Sequence, residues 1–101
     1  MEGTLQITDE DRNKYPEIHR TPLRILEKNY KDPRPATQKQ KMFLRARCAA
    51  AALAEYELIQ LGVQEHRLTS AHSSTHSFDD LSQSEIGGLF AFGDWLEANA
   101  V

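Results

Sequence analysis

The sequence is short of several things, and each shortage closes off a class of protein. Cysteine occurs once, at Cys48, so no disulfide can form within the chain, and a reducing, cytoplasmic setting is expected. No run of about 18 apolar residues exists, which leaves no candidate for a membrane-spanning helix. The opening Met1-Glu2-Gly3 lacks a basic stretch followed by an apolar one, so no secretory signal is read there. Aromatic residues make up only 8%, which limits the large side chains available to a core. Cations are nearly missing from the second half: residues 48–101 hold Arg67 alone against eight acids, a net of −7.

What is present fits one small domain. The chain has 101 residues, of which 40% are hydrophobic and 27% charged, as in ordinary folded proteins and unlike disordered ones. Residues 1–47 hold eleven of the twelve Lys and Arg against seven acids, a net of +4. The basic block is Arg20, Arg24, Lys28, Lys31, Arg34, Lys39, Lys41, Arg45 and Arg47, opposed within its own span only by Glu27 and Asp32. Such asymmetry bears on partners rather than on fold. The block can meet phosphates, an acidic protein surface, a second copy, or the acidic half of its own fold.

The hydrophobic pattern is helical throughout, and the expected fold class is all-α: a small bundle of three principal helices over about 22–31, 38–61 and 83–99. Residues 1–20 read as a mostly irregular arm, in which Thr8 caps a possible turn and Pro16 interrupts it. Thr21-Pro22 is a helix start, with Leu23, Leu26 and Tyr30 at helical spacing, and Asp32-Pro33-Arg34-Pro35 stops that helix. Thr37 and Gln40 form a capping box, and the helix they open is expected to run on through the alanines at 49–52 to Leu61, with Gly62 ending it. Met42, Phe43, Ala46, Ala50, Leu53, Ala54, Leu58 and Leu61 then make one broad apolar arc, on which the charges of Arg47 and Glu57 intrude. Residues 64–81 are polar and read as a loop. Ser82 and Glu85 form a second capping box, opening a helix on which Ile86, Leu89, Phe90, Gly93 and Leu96 lie on one side, with Phe92 and Trp95 at its edge. Gly87, Gly88 and Gly93 suggest that this helix runs close and antiparallel to the alanine-rich one, and Trp95 is read as core.

Catalytic patterns are scarce. There is no Gly-x-Ser-x-Gly, no phosphate-binding glycine loop and no His-Glu-x-x-His, so no enzyme is expected and no cofactor is called for. His66, His72 and His76, with Asp79 and Asp80 nearby, have ligand-like spacing without a cysteine pair, and metal binding is kept only as a weaker alternative. Cys48 sits in a run of small residues and reads as a packed side chain rather than a nucleophile. The expected function is therefore that of a small protein-binding regulator, an inhibitor or adaptor in the manner of viral or phage accessory proteins. It would use the basic block 20–47. The alternative is nucleic-acid or nucleotide binding by the same block. The wide apolar arc also points to a homodimer.

Overall fold

Three capping boxes mark where helices begin in the computed structural model, which describes residues 6–20 and 34–101, all but His19 and Arg20 with their side chains. Thr8, Thr37 and Ser82 each accept a hydrogen bond from the backbone N–H three residues on, and the side chains of Asp11, Gln40 and Glu85 each accept one from the cap's own N–H. They open α1 (Asp9–Lys14), α3 (Gln38–Ala50) and α5 (Gln83–Leu89). Between them lie α2 (Glu17–Arg20) and α4 (Glu55–Gln64), and α6 (Gly93–Ala98) closes the chain. Short 3-10 turns occupy Ser70–His72, Phe78–Asp80 and Phe90–Phe92. The fold is all-α. The expected helix over 22–31, with Leu23, Leu26 and Tyr30, falls outside the described residues.

The single helix expected over 38–61 is two helices. It breaks at Ala51–Ala54, where Ala52 takes a left-handed φ of 56°. The break is a Schellman stop: the Leu53 N–H reaches the Cys48 carbonyl at 2.8 Å and the Ala52 N–H reaches Ala49 at 3.1 Å. Alanine's helix propensity is overridden by tertiary contacts. Leu53 is buried, and Glu55 opens α4 with its carboxylate turned back to Arg45. Glu57 also has a local task, its carboxylate accepting from the Ala54 N–H at 2.9 Å at the start of α4.

The second stop moves as well. Gly62 lies inside α4, and the left-handed residue is His66, with φ 61°. Arg67 N–H to the Gly62 carbonyl at 2.7 Å and His66 N–H to Val63 at 3.2 Å complete the same motif four residues later. Gly62 serves close packing instead: a Cβ there would stand 2.7 Å from a methyl of Leu89. The expected helix over 83–99 is likewise tightened at Phe90–Phe92 and continues as α6.

Helix α3 packs on α5 and α6, and α4 packs on α5. The core they enclose includes Leu44, Cys48, Leu58, Ile59, Phe78, Ile86, Leu89, Phe92, Trp95 and Leu96, each nearly or wholly buried. Trp95 meets Phe92 edge to face, with ring centroids 6.1 Å apart, as suits a core pair. The short stretch 34–36 pairs with 81–83, through Ala36 N–H to Leu81 at 3.0 Å and Gln83 N–H to Arg34 at 2.9 Å, which sets the two capping boxes of α3 and α5 side by side.

The arm is less irregular than its composition suggests. Ile7 and Ile18 are buried, and Arg12 holds the nearly buried carboxylate of Glu65 with two bonds of 2.8 Å. Arg67, the sole cation of the second half, is itself buried. It donates to the Gly88 carbonyl at 2.9 Å and to the Glu17 carbonyl at 3.1 Å, so it ties α2 to α5.

Candidate functional site

Much of the basic block is answered by the acidic half of the same chain. Lys41 binds Asp79 at 2.8 Å, Arg45 binds Glu55 at 2.8 Å and Asp79 at 3.2 Å, and Arg47 binds Glu97 at 3.3 Å. Glu55 also accepts from the Phe78 N–H at 2.9 Å. Burial pushes the Glu55 carboxyl upward, but the bonds from Arg45 and Phe78 outweigh it and leave the group below its ordinary value. Hydrogen bonds from Lys41 and Arg45 lower Asp79 in the same way. This quartet joins α3, α4 and the turn at Phe78–Asp80.

Of the remaining block, Arg24, Lys28 and Lys31 lie outside the described residues, as does the side chain of Arg20. Arg34 is exposed, and its carbonyl takes part in the pairing with Gln83. Lys39 is exposed and, among the described residues, makes no ion pair. Of the five expected contact residues whose side chains are described, three, Lys41, Arg45 and Arg47, are ion-paired within the chain.

A different feature stands beside Lys39. Projected at 100° per residue, Lys39, Met42, Phe43, Ala46, Ala49 and Ala50 share one side of α3, and all six are exposed. Leu44 and Cys48 face the core from the opposite side, followed by Ala51. The apolar arc expected as core is thus, over its first half, the outward face. Leu53, Leu58 and Leu61 do enter the core, because the break at Ala51–Ala54 resets their direction.

Met42 is 66% exposed, Phe43 40% and Phe90 37%. Phe43 and Phe90 pack together with centroids 5.1 Å apart, and the Arg47 guanidinium lies 3.9 Å from the Phe43 ring centroid. Arg47 Nε is enclosed and finds no acceptor among the described residues. Phe43 and Phe90, with Thr37, Lys39 and Gln40, line an apolar hollow of about 220 Å³. Two turns along the same face, Ala46, Arg47, Ala50, Glu97 and Ala100 line a second hollow of about 340 Å³. Phe90, which periodicity places on one side with Ile86 and Leu89, lies instead on the 3-10 turn between α5 and α6 and is exposed while those two are buried.

The histidines do not converge. His72 donates or accepts at Glu85 over 2.7 Å and at Thr75 over 3.0 Å, and His76 stands edge-on to Tyr56 with centroids 6.1 Å apart. His66 is exposed at the left-handed end of α4. Among the described residues no group of three or more His, Cys, Asp or Glu is placed to hold a metal ion. Cys48 is buried, and burial followed by the nearby Glu55 and Glu57 pushes its thiol up to about 12, the reverse of what a nucleophile needs. No described helix is long and apolar enough to cross a membrane.

Comparison of the chain with family models, with curated proteins and with solved structures finds no match.

Proposed function

We propose that the protein is a small protein-binding regulator that holds a larger partner through the outward face of α3. The observation that carries this reading is the exposed Phe43–Phe90 pair with the exposed Lys39 beside it. Large exposed apolar side chains grouped on one surface are costly in water and mark interaction sites. Aromatic anchors in a partly apolar hollow, rimmed by a charge, are the usual centre of a protein–protein contact. The complementary segment on the partner is apolar where it meets the rings and acidic where it meets Lys39. Inhibitor and adaptor roles both follow from such a contact, and neither requires catalysis.

The same rings beside cations also suit stacking on nucleic-acid bases. The ion pairs at Lys41, Arg45 and Arg47 favour the protein reading, because they match three cations of the basic block with carboxylates of the same chain. The test is capture from lysate with the tagged chain, with and without nuclease, beside a Phe43→Ala/Phe90→Ala variant. A discrete protein that survives nuclease and is lost with the variant supports the reading. Capture that vanishes with nuclease, or that the variant leaves unchanged, overturns it.

A further inference from the structure

The outward face of α3 is built in two unequal halves. Lys39, Met42 and Phe43, with Phe90 alongside, make a raised, apolar end carrying a positive charge. Ala46, Ala49 and Ala50 make a low end, where the hollow of about 340 Å³ opens and the exposed Glu97, bound to Arg47 at 3.3 Å through one oxygen, presents its carboxylate. Met42 and Ala50 are eight positions apart, or about 12 Å along the helix axis. Raised end and hollow therefore occur on one surface at a fixed spacing, with the ammonium of Lys39 at one and the exposed carboxylate of Glu97 at the other.

Such a surface complements itself when turned end for end. We propose that two copies of this chain pair through the outward face of α3, antiparallel, about a two-fold axis passing near Ala46. In that arrangement Met42 of one copy stands opposite Ala50 of the other and enters its hollow, and Phe43 lies over Ala49. Lys39 meets Glu97 of the second copy. A parallel pairing would set Lys39 against Lys39 and Met42 against Met42, which disfavours it relative to the antiparallel one. The alanines at the crossing let two helices approach closely, and methionine's unbranched chain fills irregular space well. Each contact occurs twice, as a two-fold interface requires.

The pairing goes beyond the partner-binding reading and does not need it. The two share a face, so a second copy and a larger partner exclude one another there, and self-pairing keeps Met42 and Phe43 from water until a partner takes over. The test uses purified protein alone, so its failure is separate from a failure of partner capture.

Sedimentation equilibrium from about one micromolar to several hundred micromolar reads the pairing directly. The weight-average mass is expected to rise from 11.5 kDa toward twice that value. Ala46→Glu sets two like charges face to face at the axis and is expected to raise the dimer Kd about a hundredfold or more. Ala46 is exposed, so helicity by circular dichroism stays unchanged, and Met42→Lys gives a second disruptive variant at another exposed position. Lys39→Glu and Glu97→Lys each weaken pairing, and the double variant regains it. A wild-type mass that stays at 11.5 kDa throughout overturns the proposal. So does a dimer that Ala46→Glu and Met42→Lys leave intact, or a double variant that recovers nothing.

Discussion

Phe43 and Leu44 are neighbours on α3, and Leu44 is wholly buried while Phe43 is 40% exposed. Leu44 points into the core shared with α5 and α6. Phe43 rests against Phe90 outside it, with the Arg47 guanidinium over its ring. The helix thus offers apolar side chains on two sides. One side holds the fold together, and the other is open to an interface.

Two glycines separate close packing from mere flexibility. A Cβ on Gly62 would stand 2.7 Å from Leu89 and 3.2 Å from Leu68, both buried, so Gly62→Ala overpacks the α4–α5 contact. It is expected to cost about 1–3 kcal/mol in urea unfolding. Gly87 has nothing within 4 Å of the same position, and Gly87→Ala is expected to add about 0.5–1 kcal/mol through helix propensity.

The stop between α3 and α4 carries a local cost. Ala52 holds φ 56°, a conformation that L residues with a Cβ enter at a penalty and glycine enters freely. Ala52→Gly is expected to stabilise the protein by about 0.5–1 kcal/mol, read as a higher urea midpoint at unchanged slope. A continuous helix across this point would give the opposite sign, since glycine weakens a helix interior.

Acid should unfasten the quartet of Lys41, Arg45, Glu55 and Asp79. Both carboxyls titrate below their ordinary values in the fold. A depressed carboxyl contributes stability that is present above its unfolded value and is lost as pH falls through its folded value. The stability these groups supply is expected to hold from neutral pH down to about 5 and to fall below about 4.5. Urea midpoints measured against pH check this, and Glu55→Gln should be less stable at pH 7 with a shallower decline in acid.

The helix starts were legible because a cap is a local device. Thr8, Thr37 and Ser82 each carry an acid or amide three residues on, and each opens a helix. The break at Ala51 was not legible from propensity, since alanine favours helix and the deciding contacts come from Leu53, Glu55 and the distant Phe78 N–H. A weak local signal was there: Glu57 stands three residues after Ala54, in the cap-return position. Which apolar arc of α3 faces the core depends on a single large residue, Leu44, against Met42 and Phe43, and a helical projection weighs the two the wrong way. The basic block looked continuous because its counter-charges Asp79 and Glu97 lie 38 and 50 residues from Lys41 and Arg47. Spacing along the chain carries no trace of such pairs.

The central claim is that the Phe43 side of α3 faces outward while the Leu44 side builds the core, and two substitutions test it most directly. Urea unfolding at low micromolar protein compares Leu44→Ala with Phe43→Ala. Leu44→Ala should cost about 2–5 kcal/mol, as truncation at a fully buried site does, and Phe43→Ala at most about 1 kcal/mol. Equal losses, or a larger one at Phe43, would mean that the expected arc is the core after all and that the interface placed on it does not exist.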